Sequence, residues 1–238
     1  VKNWTRLQTN LVNQDWGKLE FARHAFLARA LRGQNMGGTA SAEWELALKN
    51  ASNQNTTLVL LFQLAAGWGW LDESEQILWT IVNRFPGEKW AGPALQQALV
   101  RGGRTRPLLQ YIRLQAKRTP EDLSVQNDLA MAAMLLDVQE LAPFDLARKV
   151  YTQEPKNVSY ASTYAFALYL QKQNKEALAV MQQLKPEELN LPAIAGYYGL
   201  ILKANGEMEK AKTYINLALS KAQLLPEERK LLEDALKN

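Results

Sequence analysis

The chain reads as an all-α protein, a solenoid of antiparallel helical hairpins, on three observations. A proline closes a helical stretch at Pro86, Pro120 and Pro155, in steps of 34 and 35 residues. Small residues at Ala130, Ala165 and Gly199 are spaced by 35 and 34, and each is followed twelve positions later by an alanine, at Ala142, Ala177 and Ala211. Between these marks apolar residues recur every three or four positions, in two short segments per unit. One hairpin alone cannot bury its apolar face, so a repeat of this length specifies stacking of neighbours.

The unit 157–190 shows the layout best. Tyr160, Tyr164, Ala165, Leu168 and Leu170 form the stripe of a first helix, and Gln171 to Asn174 form a polar turn. Ala177, Leu178, Met181 and Leu184 then stripe the second helix, the spacing of a helix that buries one face. The unit 191–224 repeats it with Ala195, Tyr198, Gly199 and Leu202, the Asn205-Gly206 turn, then Ala211, Ile215 and Ala218. Gly206 suits a left-handed C-cap. Small residues fall where paired helices must approach closely.

Earlier units keep the spacing better than the letters. In 55–88 Phe62 stands at the small position and Ser74 replaces alanine, while Leu78 and Ile81 keep the stripe. In 89–121 the two small positions hold Gln96 and Leu108 around the turn Arg101-Gly-Gly-Arg104. A first unit over 15–52 and one over 122–156 complete about six hairpins. The segment 226–237 places Leu231, Leu232, Ala235 and Leu236 on one side, as a terminal capping helix requires. Asp72 with Glu75 reads as a capping box, and Thr119-Pro120-Glu121-Asp122 as an N-cap, an N1 proline and first-turn acids. The whole, 1–238, is expected to form a single repeat domain.

The spacing of small residues, alanines and closing prolines resembles the tetratricopeptide repeat family, which places a small residue in its first helix and an alanine twelve positions later. An aliphatic or aromatic residue and a second alanine follow. Gly199 with Ala211, Ile215 and Ala218, and Ala165 with Ala177, match it. The resemblance implies a right-handed superhelix whose first helices line a concave groove. The groove positions are then Asn127, Met131 and Met134; Ser162, Thr163, Phe166 and Tyr169; and Tyr197, Leu200 and Lys203. An apolar and aromatic surface with a few polar groups suits an extended segment or helix. The carboxylate clamp of well-known relatives is not expected, because Met131, Thr163, Ala193 and Tyr197 occupy four of its positions and only Asn127 is kept.

Composition excludes more than it assigns. The 238 residues carry 28 Lys and Arg against 24 Asp and Glu, a net charge of +4, too small by itself to imply a polyanion partner. With no cysteine, disulfides, thiolate catalysis and cysteine-bound zinc are absent. His24 is the only histidine, so it reads as a packing or surface residue rather than a catalytic base or metal ligand, and no cofactor is expected. Carboxylate pairs at Asp72-Glu73, Glu121-Asp122, Glu187-Glu188 and Glu227-Glu228 sit at helix starts, where they offset the helix dipole. The longest apolar run, Leu58 to Leu71, is shorter than the roughly 20 residues that cross a bilayer.

Two further surfaces stand out. Arg101, Arg104, Arg106, Arg113, Lys117 and Arg118 have no acid among them, giving a basic hairpin that an acidic partner could use; nucleic acid is disfavoured for want of a broad basic footprint. Tryptophans cluster early, with Trp70 and Trp90 as candidate exposed anchors. The expectation is a noncatalytic, monomeric scaffold that binds a protein or peptide and takes no small-molecule substrate. One alternative is a structural domain of a larger, membrane-tethered envelope assembly; another, a hydrolase or transferase on a helical scaffold, lacks a converging catalytic set. The start at Val1, without Met or leader, suggests a mature form or a piece of something longer, in the cytoplasm or outside it.

Overall fold

The computed structural model describes residues 3–12 and 14–237, and among them every regular element is a helix. In chain order these are α1 (Trp4–Val12), α2 (Glu20–Gly33), α3 (Gly37–Ala51), α4 (Asn55–Gly67), α5 (Leu71–Arg84), α6 (Ala91–Arg101), α7 (Thr105–Arg118) and α8 (Leu123–Leu135). They continue with α9 (Pro143–Gln153), α10 (Val158–Leu170), α11 (Asn174–Met181), α12 (Pro186–Leu189), α13 (Pro192–Ala204), α14 (Met208–Lys221) and α15 (Pro226–Lys237). Short 3-10 turns precede α2 and α9. The chain divides into two compact units, 1–98 and 99–238, with the division inside α6.

The prolines mark the ends of second helices as the pitch implies. α5, α7 and α9 each stop two residues before Pro86, Pro120 and Pro155. The intervening C-caps Phe85, Thr119 and Glu154 share one extended conformation, with φ between −127° and −135° and ψ between 65° and 73°. A residue before proline is pushed out of the helical region by the proline ring, so the ring position dictates the stop. First helices have their own repeated signal: the Asp122 carboxylate accepts from the N–H groups of Ser124 and Val125, and Asn157 does the same for Ser159 and Tyr160.

Two capping assignments differ from the sequence reading. α5 begins at Leu71 and its cap, Trp70, has no side-chain cap bond, so Asp72 lies in the first turn as a charge rather than a cap. Thr119 is the C-cap of α7, and Asp122 is the N-cap of α8. Pro120 therefore lies between helices, because its ring fixes Thr119 outside the α region.

In the unit 1–98 the hairpins α2/α3 and α4/α5 bury Ala25, Ala28, Leu58, Leu61, Ala65, Ile77 and Ile81. α1 packs on α2, where Trp4 lies over Gly33 so closely that a Cβ there would meet the indole at 2.5 Å. In the unit 99–238 the hairpins are α8/α9, α10/α11 and α13/α14. Ala130, Ala165, Ala177 and Ala211 are fully buried at the pairing sites. At Gly199 a Cβ would meet Ile215 Cγ1 at 2.7 Å and the Ala211 carbonyl oxygen at 3.0 Å.

Ala142 is the exception. It is exposed, with φ of +46°, and precedes α9 instead of lying in it. The α8–α9 connection runs over residues 136–142, longer than the three residues that join α10 to α11 or α13 to α14, and the small buried residue of α9 is Ala147. α9 is shorter than α7 by three residues, which restores the pitch.

Gly199→Ala is expected to destabilise the protein by about 1–3 kcal/mol, since backbone atoms of α14 cannot retreat as a flexible side chain would. Gly67→Ala, whose Cβ would enter open space, is expected to gain up to roughly 1 kcal/mol from helix propensity and the unfolded state. Urea unfolding of both variants measures this; equal stabilities would refute the close-approach account.

Candidate interaction surface

α10 and α13 are apolar around their whole circumference, and the structure buries them accordingly. Eight of the thirteen residues of α10 are buried, including Ser162, Thr163 and Phe166. α10 serves two cores at once: Ala161, Ala165 and Leu168 face one cluster with α11 and α13, while Phe166 and Ala167 face another with α8, α13 and α14. Phe166 is only 1% exposed and its ring lies 4.9 Å from that of Tyr197. Met134, Thr163, Tyr197 and Leu200 are likewise buried, and Asn127 is 7% exposed. Of the expected groove residues, Met131, Tyr169 and Lys203 keep intermediate exposure.

Three of these residues meet the last helix. α15 packs on α13 and α14, leaving a small crevice lined by Ala193, Gly196, Tyr197, Leu200, Glu228 and Leu232. The Tyr197 hydroxyl donates to the Glu228 carboxylate, whose other oxygen accepts from the Leu225 N–H at 2.7 Å. The Lys203 ammonium donates to the Ala235 carbonyl near the end of α15, where a cation also complements the helix dipole. At its other end α15 reaches back to α7: the Thr105 hydroxyl donates to Glu227. Burial raises the Glu228 carboxyl above its ordinary value, and burial together with the Glu228 charge raises the Tyr197 phenol well above its own. In the same first-helix row, the buried Asn127 Oδ1 and Ser162 Oγ have no hydrogen-bond partner. Asn127, Ser162 and Tyr197 are spaced by 35 residues.

The unit 1–98 has an aromatic core of a different kind. Ring centroids run from Trp16 to Phe26 at 6.2 Å, Phe26 to Trp68 at 5.5 Å, Trp68 to Trp70 at 5.0 Å and Trp70 to Trp44 at 5.6 Å. Trp70 is half-buried beneath the Arg32 guanidinium, 3.7 Å from the ring centre. Trp90 is 38% exposed, rests on Phe62 and donates its indole N–H to Glu88 at 3.1 Å. His24 Nδ1 lies 2.6 Å from Glu43, tying α2 to α3. In the other unit Arg101, Arg104 and Arg106 are exposed at the end of α6, the following turn and the start of α7, with Arg113, Lys117 and Arg118 exposed further along. The described residues contain no cluster of three or more His, Asp or Glu placed to hold a metal ion.

No family model and no curated protein sequence matches the chain. Solved structures do. A tetratricopeptide repeat protein from Parabacteroides merdae aligns over 98% of this chain and 91% of its own, with a TM-score of 0.51 at 14% identity. The fold is the tetratricopeptide-repeat fold. A thermophilic tetratricopeptide repeat protein of Thermus thermophilus aligns over 78% of this chain and all of its own, at TM-score 0.48 and 17% identity. PilW, a type IV pilus biogenesis factor, aligns over 89% and 98% at TM-score 0.43 and 14% identity.

In tetratricopeptide-repeat terms, α10/α11 and α13/α14 have the expected small-residue pairing, and their first helices are largely buried. Sequence reasoning missed these contacts because it read the Glu227-Glu228 pair as first-turn charge; Thr105, the partner of Glu227, lies 122 residues away, and Tyr197, the partner of Glu228, lies 31 away. It passed over Arg29 and Arg32 as well, though both follow Phe26 at helical spacing on α2.

Glu228 gives a pH test. Its raised pKa means that the folded protein holds the proton more tightly than the unfolded chain, so its contribution is fully present below the ordinary value of 4.5 and is lost as pH rises through the folded value. Glu228→Gln removes this titration while keeping an acceptor. The variant is expected to show a flatter dependence of unfolding free energy on pH above 4.5, and to lie within about 1 kcal/mol of the parent at neutral pH. A parental slope in the variant, measured by urea unfolding across that range, would rule out the assignment.

Proposed function

We propose that the protein is a noncatalytic, monomeric scaffold, one repeat domain that binds a protein or peptide along the first-helix face of α8 and α10. The carrying observation is the half-exposed apolar rim that Met131 on α8 and Tyr169 on α10 leave on successive first helices, beside the buried Asn127 and Ser162. A tetratricopeptide-repeat fold is consistent with a rigid presenting frame.

A structural role in a larger assembly is the second reading. Among the described residues, seven of the nine exposed large apolar side chains lie in the unit 1–98: Val12, Leu19, Met36, Leu46, Leu60, Leu71 and Trp90, so an apolar assembly contact is sought there first.

The test is photo-crosslinking from position 169, with a benzophenone amino acid in place of Tyr169, followed by titration of whatever single partner is captured. Tyr169→Ala is expected to weaken that partner by about tenfold or more, roughly 1.4 kcal/mol. Phe166→Ala is no substitute, because emptying so buried a site costs about 3–5 kcal/mol of stability. If Tyr169→Ala leaves binding unchanged while Trp90→Ala abolishes it, the assembly reading replaces the groove.

A further inference from the structure

α2 carries three half-buried arginines, and two of them are neutralised. Arg23 pairs with Glu20 at 2.7 Å, and Arg32 pairs with Glu73 while lying over Trp70. Arg29, between them, is held only by rings: its guanidinium carbon is 4.7 Å from the centre of Trp68 and 5.9 Å from that of Trp4. Among the described residues it has no hydrogen-bond acceptor and no carboxylate partner. Stacking fixes the plane of a guanidinium but uses none of its five N–H donors, which remain in the fork that matches a carboxylate. A half-buried cation without a counter-charge forgoes the pairing that would offset its lost hydration.

We propose that Arg29 receives a side-chain carboxylate from a partner peptide, an aspartate or glutamate set between apolar residues. The charge inventory favours a monoanion. Of the three arginines of α2, Arg23 and Arg32 each already have a carboxylate partner, so Arg29 alone offers an unpaired positive charge, and one carboxylate matches it. The adjoining surface is aromatic: Trp68, under the guanidinium, continues through Phe26 to Trp16. The site lies wholly in the unit 1–98 and does not depend on the groove reading for α8 and α10.

The probe is the end-blocked peptide acetyl-Phe-Glu-Leu-amide, titrated into the protein while the side-chain Nε–H signal of Arg29 is followed by NMR, with Arg29→Gln identifying the signal. The glutamate peptide should shift this signal saturably at millimolar concentration. The matching glutamine and phosphoserine peptides should each bind at least several-fold more weakly, and Arg29→Gln should abolish the response in the Trp68 indole N–H. Equal affinity for the glutamine peptide, tighter binding of the phosphoserine peptide, or no saturable shift would each overturn the proposal. Should Arg29→Gln prove unfolded by circular dichroism, Arg29→Lys takes its place: it keeps the charge and loses the fork, so it should weaken the glutamate peptide several-fold, and unchanged affinity would again overturn the assignment.

Discussion

The close approach of paired helices is the constraint from which the rest of the structure follows. Where Gly199 lies against Ile215 and the Ala211 carbonyl, no side chain fits between the backbones, and the larger residues of both helices are turned outward to meet the next hairpin. Ala165 with Ala177 repeats the arrangement. In α4 the equivalent position holds Phe62, which is half-buried and packs on Trp90, while Ser74 is drawn back to the Trp70 carbonyl by its hydroxyl. The tryptophans of the unit 1–98 pack around these hairpins. Their ring faces in turn accept Arg29 and Arg32.

Much of this was legible in the sequence, because local rules and the fold agree. The prolines stop α5, α7 and α9 through the conformation they force on the preceding residue, a local effect that needs no knowledge of tertiary contacts. The misreadings have equally physical causes. Ala142 kept the twelve-residue spacing only because a longer turn and a shorter helix happen to cancel, and spacing alone cannot see two compensating changes. The groove residues are a separate case: a register gives each first helix one exposed face, whereas Val158–Leu170 and Pro192–Ala204 contain almost no charge, a sequence signal for burial. The structure buries most of both while leaving Tyr169 and Lys203 half-exposed. The contacts of Glu227 and Glu228 had no such signal, since nothing local to either residue names Thr105 or Tyr197.

α1 and α15 each pack on their neighbours through both apolar and polar side chains. At the beginning, α1 lays Trp4 onto Gly33, while Thr5 and Gln8 bond to Gln34. At the close, α15 supplies Leu232 to the core and places its polar groups on polar atoms that α13 presents, Glu228 on Tyr197 and the Ala235 carbonyl on Lys203. The hydrogen bonds set the register of a helix that apolar contact alone would let slide.

The packing of α15 bears on where recognition can occur. In the series Asn127, Ser162 and Tyr197, the third member has its polar partner and the first two do not. The difference is not one of burial, since all three are buried, but of whether a neighbouring segment brings a polar group. α15 brings Glu228 to Tyr197, at the cost of desolvating a carboxylate. An unmet acceptor in a well-packed protein is a standing penalty of about one to three kcal/mol. At Asn127 and Ser162 it is carried inside the fold, and the part of this row open to a partner is the half-exposed Met131 and Tyr169 beside them.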